Sequence, residues 1–246
     1  MTSKGEIRDL RENVALSHRL LYRTGLATTR GHTSARVPGQ PDQFLIKPWP
    51  HIQMHRMTAS DMIIMDIEGT IVEGPSGMVT RVSEWPIHAE IYKAQSSVDS
   101  IIHTHQPWAS MMAIAGKTIL PVLATDAAAA LAEPAPVMSE DRALIRRVAQ
   151  GQAVAALLGS APACHLLNHG MVFAGPDVET VTVEAIDIEY QAELNWRASL
   201  ISGSQLPTTE MASMLERSEK AKAAWENYWR WADANPESLY PRTYDI

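Results

Sequence analysis

RVSEWPIHAEIYKAQSSVDSIIHTHQ, residues 81–106, is the stretch whose reading decides the fold. It opens on Ser83 and Glu84, where a helix should begin, and closes on His103-Thr104-His105, where a strand should end. Ser83 reads as an N-cap, and Pro86 is tolerated in the first turn of a helix running to about Ser97. On the strand that follows, alternate side chains share a face, so His103 and His105 can converge on one ion. His169, in the later segment HLLNHGMVF, is a third candidate ligand. Three neutral imidazoles that leave coordination positions open describe a catalytic rather than a structural metal site.

Working outward, Ile7, Leu10, Val14, Leu20 and Leu21 recur at mostly helical spacing, which predicts a helix over 6–26 with Gly25 as its stop. The segment GHTSAR, 31–36, is a glycine turn entering an alternating strand, and a second strand covers 43–46. Lys47-Pro48-Trp49-Pro50 reads as a shaped loop, because two prolines forbid regular pairing. Residues 62–66 and 70–73 flank Glu68-Gly69 as a hairpin. Beyond the central stretch come a strand over 100–105 and a short helix over 107–115. The alanine-rich 126–136 is either a short helix or a loop. An N-cap Ser139 followed by Glu140 and Asp141 predicts helix over 139–158. Strands over 163–168 and 171–174 surround His169-Gly170, and helices are expected over 177–202 and 208–233. Helices interleaved with antiparallel-looking strands imply an α/β fold, specifically an α/β/α sandwich on one central, mainly antiparallel sheet.

The chain has 246 residues with 46% hydrophobic content and no linker, so residues 1–246 are read as one domain. Its aromatic end, about 225–246, is expected to pack at a subunit interface. A net charge of −7 without a dense Lys/Arg run argues against a nucleic-acid surface. Cys164 is the only cysteine, which excludes a disulfide framework and a cysteine-rich zinc site. No apolar run approaches the ~20 residues of a membrane span, and the N-terminus lacks a signal-peptide core. A soluble, cytoplasmic protein is expected.

Set in order, Gly31-His32-Thr33-Ser34, Lys47-Pro48-Trp49-Pro50, Ser83-Glu84-Trp85, His103-x-His105 and His169-Gly170 resemble the landmarks of the class II aldolase/adducin family, typified by fuculose phosphate aldolase. The resemblance covers the chain through about Ser202. It implies that His103, His105 and His169 bind a divalent ion, with zinc, manganese, cobalt or iron all compatible. It implies Glu84 as acid/base and as a further ligand when substrate is absent. Without the histidines, Glu84 would read as a solvated first-turn acid. The resemblance also implies a homotetramer. Among the other histidines, His18 and His88 read as structural, His51 and His55 could line the pocket mouth, and His165 is a second-shell candidate.

The aldolases hold a phosphate with Gly-Asn, with Thr-Pro-Ser/Thr-Gly and with a Ser-Ser pair. Here His32 replaces the Asn, Pro48 and Pro50 lack amide hydrogens, Trp49 fills volume, and of the pair only Ser83 survives. A phosphorylated sugar is therefore not the expected substrate. Instead His32, Arg36 and Lys47 are potential cationic donors and Trp49 a flat face, which, with Ser34 and Ser83, suit a planar, small-molecule anion. The Gly-His-x-Ser variant resembles a branch containing decarboxylases of hydroxylated aromatic or pyridine dicarboxylates. The expected activity is a metal-dependent lyase, a decarboxylase with Glu84 and His32 as candidate proton donors. The alternatives are an aldolase acting on an unphosphorylated hydroxy-keto acid or sugar derivative, an oxygenase using iron at the same site, and a non-catalytic adducin-like assembly domain.

Overall fold

The protein is described from a computed structural model covering residues 4–49, 53–76, 80–202, 206–209 and 217–235. An eight-stranded sheet runs in the order β5 (Ile71–Glu73), β4 (Ile63–Asp66), β2 (Gln40–Ile46), β1 (His32–Val37), β7 (Ser100–Thr104), β10 (Gly170–Gly175), β9 (Ala163–Leu166), β8 (Val137–Met138). Every pairing in it is antiparallel except that of β8 with β9. The 48–49 segment, expected as a free loop, is a two-residue strand, β3 (Pro48–Trp49), paired with β6 (Thr80–Arg81). A proline is tolerated in so short an edge ladder because only its missing amide is lost.

Helices cover both faces, giving the α/β/α sandwich that the alternating pattern implies. One apolar cluster, with Leu20, Leu21, Ile102, Phe173 and Val181, lies under α1 (Lys4–Arg23), α3 (Pro107–Ile114) and α5 (Val178–Ser202). The other, with Phe44, Ile87, Ile101, Val154 and Val172, lies under α2 (Trp85–Ala94) and α4 (Val148–Leu158). Ile101 and Ile102 enter opposite clusters, as strand alternation requires.

Three expectations are corrected. Glu84, not Ser83, is the N-cap residue of α2, and the helix stops at Ala94 rather than Ser97. The Arg36 guanidinium binds the carbonyls of Tyr92 and Gln95, acceptors left open at that helix end, and the carbonyl of Val98 in the turn that follows. Residues 139–147 are not helical: the Asp141 carboxylate accepts from the Ala143 amide and Gln150 Nε2, while Gln150 Oε1 accepts the amides of Arg146 and Arg147. These side-chain bonds give the backbone an alternative to helix, so α4 starts at Val148. Finally, α6 (Arg217–Ala234) buries Trp225 and Ala232 in the chain's own core, and its Ala232 carbonyl accepts from Arg23. Trp225 and Ala232 are therefore spent on the chain's own core while Trp229 stays 48% exposed, and the rest of the 225–246 segment expected at a subunit contact, from residue 236, lies outside the described residues, as do Pro50 and His51.

Candidate metal centre

The antiparallel order of β1, β7 and β10 brings the start of β1, the end of β7 and the start of β10 to one end of the sheet. His32 is the cross-strand partner of His103, and Met171 that of Thr104. His169 sits in the β9–β10 turn, where Asn168 takes a left-handed conformation (φ 62°), which asparagine tolerates better than most residues. At Gly170 a β-carbon would collide with the Thr104 carbonyl oxygen, so only glycine lets β10 approach β7 this closely.

Four of the expected residues meet there. Ligand atoms of Glu84, His103, His105 and His169 all lie within 4.8 Å of one another. Nε2 of His103 and Nε2 of His105 are 3.1 Å apart, and Glu84 Oε1 is 3.3 Å from His169 Nε2. His103 Nδ1 is 2.9 Å from the Met171 carbonyl, to which it donates, leaving its Nε2 lone pair free for the cluster. Neither ring nitrogen of His169, whose side chain is only 7% exposed, has an aligned hydrogen-bond partner among the described residues. Burial pushes His103 down to about 3 and His105 to about 4, so both are neutral, as ligation requires. Convergent neutral imidazoles, an ionised carboxylate and orphaned ring nitrogens fit a divalent cation.

Glu84 also accepts the Ile145 amide at 3.1 Å from the non-helical segment before α4. Burial pushes this carboxyl up, but the contact with His169, the imidazoles of His103 and His169 and the Ile145 amide outweigh it and hold it at about 2.

Beside the cluster lies a cavity of about 340 Å³ whose walls include His32, Lys47, Trp49, Ser83, Glu84 and His105. Lys47 is buried, donates to the Thr29 carbonyl at 3.0 Å, and is pushed by burial down to about 8. Trp49 is 47% exposed. His32, expected as a cationic donor, is held well below the ordinary histidine range by burial and by His88 and His103, so it is neutral.

Two expected substrate contacts are elsewhere. Arg36 stands four residues along β1 from His32, roughly 13 Å at strand rise, and is committed to α2 and to Asp99 at 3.2 Å. Ser34 is fully buried and hydrogen-bonds His88 and Tyr92 at 2.6 and 2.7 Å. His55 packs on Tyr22, and His165 is buried in β9 outside the cluster. Arg30, Arg81 and Arg146, which line the cavity, were missed because they belong to no motif. Arg81 is held over Trp85 and donates to the Gly69 carbonyl. His88, expected as a structural residue, shares one face with Glu84 and Tyr92 at i, i+4 and i+8 from the start of α2, a spacing present in the sequence.

The chain is similar in sequence and fold to known proteins. The chain is 27% identical over 212 residues, 83% of its length and 91% of the relative's, to a 5-methylthioribulose-1-phosphate/5-deoxyribulose-1-phosphate aldolase of Rhodospirillum rubrum. It is 28% identical over 233 residues, 88% of its length and 91% of the relative's, to a 3,4-dihydroxyphthalate decarboxylase of Arthrobacter keyseri. Its fold superposes on an L-fuculose 1-phosphate aldolase from Glaciozyma antarctica with a TM-score of 0.81 at 21% identity, covering 98% of this chain and 95% of that one. Residues 12–196 match the Class II Aldolase and Adducin N-terminal domain, and the chain belongs to that family.

Proposed function

We propose that the protein is a divalent-metal-dependent carbon–carbon lyase that decarboxylates a hydroxylated aromatic or pyridine carboxylate. The observation that carries this reading is Trp49, half exposed in the wall of the metal-adjacent cavity, on a strand whose first residue, Pro48, has no amide to offer a phosphate. A flat apolar face there matches a ring, and Lys47 with Arg30 and Arg146 supplies positive charge for carboxylates. The 28% identity to a dihydroxyphthalate decarboxylase supports the same choice.

A divalent metal bound by His103, His105 and His169, with Glu84 beside it, would supply Lewis-acid stabilisation of the oxyanion left when the carbon–carbon bond breaks. The chain's own residues do the rest. Trp49 and Ser83 orient the ring, and Lys47 holds an anionic group. Glu84 and His32 face the cavity: Glu84, once it has taken a proton from the substrate hydroxyl or from solvent, is the group able to deliver the proton that replaces carbon dioxide, and the neutral His32 beside it donates a hydrogen bond. Glu84 is ionised in the protein alone, so it serves as donor only after ligand binding and loss of water raise it. The exposed Ile114, Leu200 and Ile201 on α3 and α5 are consistent with subunit contacts, and a homotetramer in the cytoplasm is part of the proposal. No described helix is long and apolar enough to cross a membrane.

The test is carbon dioxide release from ortho-hydroxylated aromatic and pyridine carboxylates by the metal-loaded protein. Release should vanish with chelator and in Glu84→Gln. Aldehyde formation from a hydroxy-keto acid or sugar substrate, with no carbon dioxide from any ring, would instead establish the aldolase reading, which the 27% identity to an aldolase favours.

A further inference from the structure

Behind His32 runs a line of buried polar groups that the metal cluster does not use. His32 Nδ1 is 2.6 Å from His88 Nε2, His88 Nδ1 is 2.6 Å from Ser34 Oγ, and Ser34 Oγ is 2.7 Å from the Tyr92 hydroxyl. His88 and Ser34 have no exposed surface, and Tyr92 is 3% exposed. The direction of this chain follows from its far end. The Tyr92 phenol carries one hydrogen, and Ser34 Oγ is its only hydrogen-bond partner among the described residues. A buried O–H without an acceptor is costly, so Tyr92 donates to Ser34.

Ser34 must then donate its own hydrogen to its other neighbour, His88 Nδ1. With Nδ1 accepting, His88 carries its proton on Nε2 and donates to His32 Nδ1. His32, accepting at Nδ1, carries its proton on Nε2. No hydrogen-bond partner occupies that nitrogen among the described residues, and the ring lines the cavity. Each ring in this sequence accepts at one nitrogen and carries its proton on the other, so the geometry by itself makes both imidazoles neutral.

We propose that Ser34 and His88 are positioning residues that lock His32 as the Nε2–H tautomer, a fixed hydrogen-bond donor toward the ligand, so that the group it meets is an acceptor such as a carboxylate or phenolate oxygen; Tyr92, donating to Ser34, reports the direction of the chain without being needed to hold it. This rests on reading the cavity as the ligand site. It assigns His32 a specificity role: a ligand offering only a hydroxyl hydrogen at that point finds no acceptor.

The test is long-range proton–nitrogen correlation NMR on the zinc-loaded protein with ¹⁵N-labelled histidines, without ligand, the His32 and His88 signals being identified by their absence from His32→Gln and His88→Gln. Wild type should show the Nε2–H pattern at both rings. Ser34→Ala should turn the His32 signal into a mixture of tautomers. Tyr92→Phe should preserve the pattern, because the Ser34 hydroxyl still finds His88 as its only acceptor, and this variant serves if Ser34→Ala does not fold. An Nδ1–H pattern at His32 in wild type, or in Tyr92→Phe, overturns the inference, as does a pure Nε2–H pattern in Ser34→Ala. Absence of carbon dioxide release alongside the expected pattern would defeat the decarboxylase reading alone.

Discussion

Gly170 lies against the Thr104 carbonyl so closely that a β-carbon on it has nowhere to go, and this contact sets where His105 and His169 stand. The obstructing atom is backbone at the end of β7, held in the ladder between β1 and β10, so it cannot swing aside. Gly170→Ala is expected to cost on the order of 3 kcal/mol or more, as core overpacking does at its upper end. Because the β7–β10 register would shift, metal affinity should fall with stability. Denaturant unfolding with and without zinc checks this, and unchanged values for both would show that the approach is not needed.

Metal binding should stabilise the fold. At a free concentration one hundred times Kd, the linkage is about 2.7 kcal/mol, which for a chain of this size is roughly 5–11 °C in Tm. His169→Ala and His103→Ala should each lose most of that shift. Glu84→Gln, which removes one of the four candidate ligands and keeps the three imidazoles, should lose part of the shift while losing on the order of 10²–10⁴ in rate. Thermal melts against zinc and manganese would decide, and an equal shift in both histidine variants would disprove the ligand assignment.

Arg36 ties β1 to the end of α2, with its guanidinium 3.1 Å from the Tyr92 carbonyl and 2.9 Å from that of Val98. Arg36→Ala is expected to cost roughly 1–3 kcal/mol of stability by leaving those carbonyls unpaired. KM at the metal site should be unchanged. A large rise in KM without a change in unfolding midpoint would return Arg36 to the ligand pocket.

Lys47, pushed by burial down to about 8, loses its charge near that pH in the folded protein but at ~10.4 when unfolded. Between those values the unfolded state binds more protons, so its contribution to stability rises with pH. Affinity for an anionic ligand should fall over the same range. KM measured from pH 7 to 9.5 should therefore climb in wild type and stay flat in Lys47→Met.

His18 is buried, with Nδ1 2.7 Å from the Val14 carbonyl and the Thr33 amide donating to its Nε2 at 3.1 Å. Burial pushes it down to about 3, so the unfolded state takes up a proton that the folded state refuses between ~6.5 and about 3. Its contribution is complete above pH 6.5 and declines as pH falls through that window. His18→Leu should cost roughly 1–3 kcal/mol at pH 7 by orphaning the Thr33 amide. It should also flatten the acid limb by about 1.4 kcal/mol per pH unit, measurable by urea unfolding across pH 4–7.

Local chemistry determined much of this protein before any coordinates. The two-residue alternation of His103 and His105, the Asn-His-Gly turn and the acid at the start of α2 are short-range patterns, and each is where those patterns imply. The interleaving of helical and strand periods likewise implied a sandwich around a mainly antiparallel sheet. Tertiary structure alone decided which residues sharing a face also share a site. His32, Ser34 and Arg36 alternate correctly on β1, but the strand carries each successive one about 7 Å further from the metal cluster. Only His32 borders the cavity, while Ser34 meets His88 and Arg36 closes a helix end. Residues 139–147 have a helical signature that long-range partners override, because the Ile145 amide is satisfied by Glu84, sixty-one positions earlier. Side-chain periodicity encodes direction at each residue, whereas distance to a site depends on how separate elements pack, and that information resides in no single segment.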